Sequence, residues 1–299
     1  MPRITPHLWF DKEAVEAAEL YTTAFPDGKV TNVSTLKDTP SGDCDVVSFE
    51  LLGQPFTAFS AGPFFRFTPA VSFLVRCQTV EQVDALWSEL SEGGSTLMPL
   101  DSYPFSDRYG WTEDRYGLSW QVMHDAMGEI DQAIVPTLTF VGDVCGKAEE
   151  AVGHYASVFP ESKIERVQRY GEGEEPDRPG TIKHLYFDLD GFKLAAMDSA
   201  RDHDFGFNEA ISLMVGCETQ EEIDYYWDRL SAVPESEQCG WLKDRFGVSW
   251  QITPTILDEL LSRGTEEQTA RVTQAFLEMK KFDIAELRRA YEGAEQGER

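Results

Sequence analysis

The stretch GWTEDRYGLSWQV at residues 110–122 returns as GWLKDRFGVSWQI at residues 240–252, 130 positions later. Three further blocks recur in the same order, and insertions fall only between the blocks. The longest is AVSFLVRCQTVEQVDALWSEL at residues 70–90, which returns as AISLMVGCETQEEIDYYWDRL at residues 210–230. An ordered set of matched blocks indicates an internal duplication. We therefore predict two homologous modules, residues 1–130 and 131–256, and a tail at residues 257–299.

Each module repeats one pattern of secondary structure. Residues 4–10 alternate along the chain, which predicts a strand with Leu8 on one face and with His7 and Trp9 on the other. A helix and two further strands follow, and the order then restarts with a strand at residues 70–76. Thr79 and Gln82 have the spacing of a capping box and are expected to open the next helix. With one more short strand in each half, this predicts an α+β fold of four βαβββ units and a helical tail.

Composition excludes several classes of partner. The chain has 299 residues, with 26 Lys and Arg against 53 Asp and Glu, and a net charge of −27. Such acidity argues against binding to nucleic acid and to anionic membrane surfaces, because both require an excess of basic residues. The sequence contains no apolar run of about 20 residues, as a membrane helix needs, and no apolar signal core near its start. We expect a cytoplasmic protein whose partner is a small molecule.

The closing blocks of the second module carry a family resemblance. CGWLKDRFGVSWQI at residues 239–252 and FNEAISLMVGCETQEEIDYYWDRL at residues 207–230 resemble the PhnB-like group, often labelled 3-demethylubiquinone methyltransferase-like. This group is similar to glyoxalase I, extradiol dioxygenases and bleomycin-resistance proteins, the vicinal oxygen chelate superfamily. The resemblance implies two glyoxalase-like incomplete barrels, one cup in each module, each with a site on its concave face. It also implies that the two modules pair within the chain, and it leaves further dimerisation open.

The same resemblance implies four positions for metal ligands in each module. In this sequence they fall on or near Thr5, Ser60, Ala70 and Gln121 in module 1, and on or near Val135, Asp198, Ala210 and Gln251 in module 2. Divalent metals prefer carboxylate and imidazole ligands, which Ala and Gln do not replace. We therefore expect no metal and no other cofactor. The strongest remaining donor pairs are His7 with Gln121 and Asp198 with Gln251. No GxGxxG turn for a nucleotide-type methyl donor occurs.

Eleven residues are candidates for contact with a ligand. They are His7, Trp9, Ser60, Phe65, Trp111, Gln121, Asp198, His203, Phe205, Trp241 and Gln251. The two glutamines have side-chain amides that both donate and accept hydrogen bonds, although bonding across strands would also explain them. The tryptophans at 111 and 241 either stack on a ligand or plug the barrel mouth. Asp198 and His203 have the chemistry of a general acid or base, or lie in a solvated loop.

Other residues that occur at the same position in both modules have a structural interpretation. Asp114 and Asp244 precede tight turns, where aspartate usually bonds to its own backbone, so a turn cap or an ion pair is expected. Trp120 and Trp250 alternate with the glutamines and are expected to face the helices. These four residues are predicted to hold the fold together.

Three functional hypotheses remain open. The favoured one is a small-molecule-binding protein that works without a metal and has an unknown ligand. The alternative is an enzyme of lyase, isomerase or dioxygenase type with an atypical metal site in one module. A third is a structural protein whose clefts are filled by its own side chains. The sequence assigns no catalytic residue, since it contains neither a GxSxG nor an HExxH motif.

Overall fold

The computed structural model describes residues 3–125 and 130–293 of the chain. Unit 1 consists of β1 (Ile4–Phe10), α1 (Ala14–Ala24), β2 (Lys29–Thr39), β3 (Gly42–Leu51) and β4 (Gln54–Ser60). Unit 2 consists of β5 (Val71–Cys77), α2 (Val80–Ser91), β6 (Ser95–Tyr103), β7 (Ser106–Glu113) and β8 (Ser119–His124).

The second module repeats this order and is followed by the helical tail. Unit 3 consists of β9 (Ile134–Phe140), α3 (Ala148–Val158), β10 (Lys163–Arg169), β11 (Ile182–Leu189) and β12 (Phe192–Asp198). Unit 4 consists of β13 (Ile211–Cys217), α4 (Gln220–Leu230), β14 (Trp241–Lys243) and β15 (Ser249–Pro254). The tail consists of α5 (Ile256–Arg263), α6 (Glu266–Leu277) and α7 (Ile284–Glu292). Within the described ranges, no helix has both the length and the apolar character to cross a membrane.

The predicted α+β fold of tandem βαβββ units is confirmed, with one local difference. Only two strands follow α4 in unit 4, where the other units have three. The capping box predicted at Thr79 opens α2. The Thr79 hydroxyl accepts from the backbone amide of Gln82, and the Gln82 side chain accepts from the backbone amide of Thr79. An equivalent box at Thr265 opens α6 in the tail.

The strands form two sheets, and each sheet contains one unit from each module. The seven-stranded sheet has the order β14-β15-β13-β1-β4-β3-β2, which joins unit 1 to unit 4. The eight-stranded sheet has the order β10-β11-β12-β9-β5-β8-β7-β6, which joins unit 3 to unit 2. The joining pairs, β1 with β13 and β5 with β9, are both antiparallel. The expectation of one cup per module is therefore corrected: each cup contains half of each module.

One face of each sheet carries the helices and the main core. The faces of β1 are as predicted. Ile4, Leu8 and Phe10 point towards the helices and are buried in the largest apolar cluster, which includes residues of both modules. Trp120 and Trp250 also lie in this cluster and are almost fully buried. The inner face of each sheet is thereby left to a separate and smaller set of side chains.

The C-terminal tail packs where unit 4 lacks a strand. The backbone amides of Cys239 and Gly240 donate to the carbonyls of Met279 at 2.8 Å and Lys280 at 2.7 Å. Gly240 has a φ of +83°, and a Cβ atom there would lie 2.3 Å from the Phe282 ring. The tail thus covers backbone groups that the missing strand would otherwise pair.

A buried carboxylate joins the two halves of each module. Asp244 accepts hydrogen bonds from the Tyr155 hydroxyl at 2.7 Å and from Trp250 Nε1 at 2.9 Å. It also accepts from the backbone amides of Phe246 and Val248, so the predicted turn cap is present. In module 1, Asp114 makes the same four bonds to Tyr21, Trp120, Tyr116 and Leu118. Burial raises the pKa of both carboxyl groups.

We predict that Asp244→Ala lowers the free energy of unfolding by about 3 kcal/mol or more, because four buried donors lose their acceptor. The neighbouring exposed change Arg245→Ala is the control and should cost less than about 1 kcal/mol, since its ion pair with Glu150 is solvated. Urea unfolding followed by circular dichroism measures both values. Equal losses in the two variants would contradict a structural role for this carboxylate.

Candidate functional site

The inner faces of the two sheets, opposite the helices, are the candidate sites. We name them the His7 cup, on the seven-stranded sheet, and the Tyr109 cup, on the eight-stranded sheet. In the His7 cup, β1 of module 1 lies beside β13 of module 2, with His7 opposite Ser212. In the Tyr109 cup, β9 of module 2 lies beside β5 of module 1, with Thr137 opposite Ser72.

Aromatic rings line the His7 cup. The His7 ring lies 4.4 Å from the Phe59 ring and 5.5 Å from the Trp241 ring, measured between centroids. Trp9 contacts Phe59 at 4.7 Å and Phe65 at 5.0 Å. Burial in this apolar surrounding lowers the pKa of His7 to about 3. His7 is therefore a neutral imidazole at physiological pH, which disfavours a role as a general acid.

Polar groups in the Tyr109 cup bond to one another. The Tyr109 hydroxyl donates to Gln121 Oε1 at 2.8 Å, and Gln121 Nε2 donates to Ser72 Oγ at 2.8 Å. Trp111 Nε1 donates to Ser119 Oγ, also at 2.8 Å. On the same sheet, His184 lies 4.6 Å from the Tyr186 ring, and burial lowers the pKa of His184 to about 4.

The equivalent groups in the His7 cup are incompletely bonded. Gln251 Nε2 donates to Ser212 Oγ at 2.7 Å, as its counterpart does in the other cup. Cys239 takes the place of Tyr109 in the repeat, and its thiol donates to the carbonyl of Leu277 rather than to Gln251. The Trp241 indole N–H and the Ser249 hydroxyl are buried, and neither has a hydrogen-bond partner among the described residues. The Tyr109 cup also has one such atom, because Thr139 Oγ1 is buried without a partner among the described residues. The two cups thus share a scaffold but differ in the bonding of the equivalent Trp and Ser side chains.

The structure separates the eleven predicted residues into four groups. The His7 cup contains His7, Trp9, Phe65, Trp241 and Gln251, and the Tyr109 cup contains Trp111 and Gln121. His203 and Phe205 contact each other, with ring centroids 4.7 Å apart, in the loop after β12. His203 Nε2 lies 2.9 Å from Ser199 Oγ. No ring contact or hydrogen bond in the described parts of the chain joins this pair to a cup.

Ser60 and Asp198 lie on the helix-bearing faces, which differs from the expectation of a place in the cups. Ser60 Oγ accepts from the amide of Ala14, the first residue of α1. The Asp198 carboxylate accepts from the amides of Gly146, Ala148 and Ile182 at 2.7–3.1 Å. The physical reason is strand parity, because successive side chains point to opposite faces. Both residues cap the start of a helix.

The pairing of units also changes which donors share a cup. His7 lies in the cup of Gln251, not of Gln121, because β1 pairs with β13 rather than with β5. Asp198 belongs to the sheet of Gln121 and faces its helices. The structure therefore does not bring together either of the remaining donor pairs considered from the sequence. No group of three or more His, Cys, Asp or Glu side chains in residues 3–125 and 130–293 could hold a metal ion, so the donor set does not fit a chelated divalent cation.

Several inner-face residues were missed by the sequence analysis. They are Phe59, Ser72, Tyr109, His184, Tyr186, Ser212 and Ser249. Alternation along each strand is the signal that could have found them. Tyr109, for example, stands two residues before Trp111 and so points to the same face.

Comparison with known proteins agrees with the observed fold. The model of the family described as 3-demethylubiquinone-9 3-methyltransferase matches the chain twice, at residues 2–123 and 132–253. A PhnB protein from Bacillus cereus, titled a putative 3-demethylubiquinone-9 3-methyltransferase, is 36% identical over 40% of this chain and 98% of its own, with a TM-score of 0.38. Glyoxalase I from Zea mays is 10% identical, with 83% of this chain and 92% of its own covered and a TM-score of 0.53.

The glyoxalase I likeness shows the fold alone. No match was found among curated proteins. The double family match covers most of the chain and follows the duplication seen in the sequence. The chain therefore belongs to the 3-demethylubiquinone-9 3-methyltransferase family, and it carries the family's domain twice in tandem.

Proposed function

We propose that the chain binds a small, uncharged, largely aromatic molecule in the His7 cup and does so without a metal ion. One observation carries the proposal: Trp241 Nε1 and Ser249 Oγ are buried without partners among the described residues, whereas their repeat counterparts Trp111 and Ser119 bond to each other. A buried donor without an acceptor costs about 1–3 kcal/mol. A ligand oxygen or nitrogen that accepts from Trp241 removes that cost.

The walls of the cup favour an aromatic and neutral ligand. Phe59 and Trp241 each contact His7, Trp9 and one another, with ring centroids 4.4–6.4 Å apart. Rings in such an array stack on, or meet edge to face, a further ring. The neutral His7 supplies no charge to offset an ionic ligand, and the net charge of −27 opposes an anion further. Gln251 Oε1 is an additional acceptor for a ligand donor.

Trp111→Phe and Trp241→Phe form a matched pair that tests the bonding difference without any ligand. Both changes remove an indole N–H and a similar volume. We expect Trp111→Phe to lower the free energy of unfolding by about 1 kcal/mol more, because only Trp111 loses a formed hydrogen bond. Chemical denaturation gives both values. A larger loss in Trp241→Phe would show that its N–H is already paired in the free protein.

The binding proposal is tested with acetophenone, which has one ring and one acceptor, against ethylbenzene, which lacks the acceptor. Acetophenone is expected to shift the Trp241 indole N–H resonance saturably, with equal affinity in EDTA and in added Mn²⁺. Trp241→Phe should weaken its binding at least about tenfold, as the loss of one buried hydrogen bond does, and Trp111→Phe should leave it unchanged. Binding that requires the metal, or equal affinity for ethylbenzene, would contradict the proposal.

A further inference from the structure

A cavity of about 270 Å³ lies outside both cups, where hairpins of the two modules meet. It is lined by the β3–β4 turn, the linker between the modules and the β11–β12 turn, through residues 52–55, 131–133, 188 and 191–193. The family resemblance places the site on the concave faces and so does not assign this cavity. Its volume is large enough for a ligand with a single ring.

Gln54 is the unusual residue in the cavity wall. It is only 7% exposed, and neither its Nε2 nor its Oε1 has a hydrogen-bond partner within the described residues. In the repeat, Gln54 corresponds to Phe192, a buried ring that lines the same cavity. A primary amide thus stands unpaired where the second module has an ordinary core side chain. Buried polar groups in native proteins are almost always paired, so this exception needs an explanation.

The remaining wall is held in place by bonds between the linker and β12. Gln132 Nε2 donates to the carbonyl of Lys193 at 2.7 Å, and Gln132 Oε1 accepts from the amide of Lys193 at 2.7 Å. The Lys193 ammonium forms an ion pair with Asp131. Its positive charge is therefore balanced, which removes any strong preference for an anionic ligand. The cavity is preformed, and Gln54, whose unpaired amide is buried in the free chain, lies in its wall.

We propose that this cavity binds a small planar molecule that carries a hydrogen-bond donor beside an acceptor, such as a primary amide or a lactam. In the free chain both amide atoms of Gln54 are closed off from solvent, so binding requires the side chain to rotate into the cavity. There its amide forms two hydrogen bonds with that edge, one as donor and one as acceptor. The apolar part of the ligand lies against Phe192 and Pro55, which line the cavity. This site is independent of the His7 cup.

The test uses benzamide as the probe and the side-chain amide resonance of Gln54 as the readout. The resonance is assigned by its absence in Gln54→Leu and Gln54→Phe. The second variant introduces the residue type found at Phe192, the equivalent position of the second module. Benzamide should shift the resonance saturably in the wild-type chain. Acetophenone, which has the same shape without the amide donor, should bind at this site at least tenfold more weakly. His7→Thr, which changes only the His7 cup, is the control and should keep the benzamide response.

Both Gln54 variants should retain the fold, lose benzamide binding at the cavity at least tenfold, and melt at a higher temperature than the wild type without ligand. The higher melting temperature follows because an apolar side chain leaves no unpaired amide. No saturable shift, equal affinity for acetophenone, or benzamide binding unchanged in the variants would overturn the proposal. A lower melting temperature in both variants would also overturn it, since the amide would then be paired within the protein.

Discussion

The antiparallel pairing of β1 with β13 and of β5 with β9 determines the rest of the structure. The first strand of each unit has one edge paired to its own unit, and the other edge must be paired or covered. Pairing across the modules satisfies all four edges and places both sheets around one helix-side core. The consequence for function is that each cup contains residues from both ends of the chain. His7 and Gln251 share a cup although 244 positions separate them.

The duplication has kept the scaffold and changed the chemistry of the cups. The buried carboxylates at Asp114 and Asp244 make the same four bonds, so the frame that supports each cup is equivalent. In contrast, Tyr109 completes a hydrogen-bonded chain through Gln121 to Ser72, and its counterpart Cys239 does not. Cys239 instead bonds through its backbone to the C-terminal tail. The loss of one strand, the packing of the tail and the unpaired polar atoms of Trp241 and Ser249 therefore all occur in unit 4.

Much of the local structure could be predicted from the sequence, because alternation and capping act between near neighbours. The faces of β1, the helix start at Thr79 and the turn cap at Asp114 all follow from spacing. Pairing of the modules was expected, but the choice of β13 rather than β5 as the partner of β1 could not be predicted, because these two strands have similar sequences. The placement of Ser60 and Asp198 failed for a smaller reason: a shift of one residue along a strand reverses the face. The unpaired atoms of Trp241, Ser249 and Gln54 depend on three-dimensional packing and leave no local signal.

The pairing of β1 is tested most directly by disulfide trapping. Thr5 lies opposite Met214 in the cross-module pairing, and the repeat counterpart of Met214 is Leu74, which would face Thr5 if each module closed on itself. Directly opposed residues have Cα atoms about 4.5–5.5 Å apart, within the range of a disulfide. Mild oxidation followed by peptide mass spectrometry should find a link in the T5C/M214C variant and none in T5C/L74C. A link in T5C/L74C and none in T5C/M214C would contradict the account.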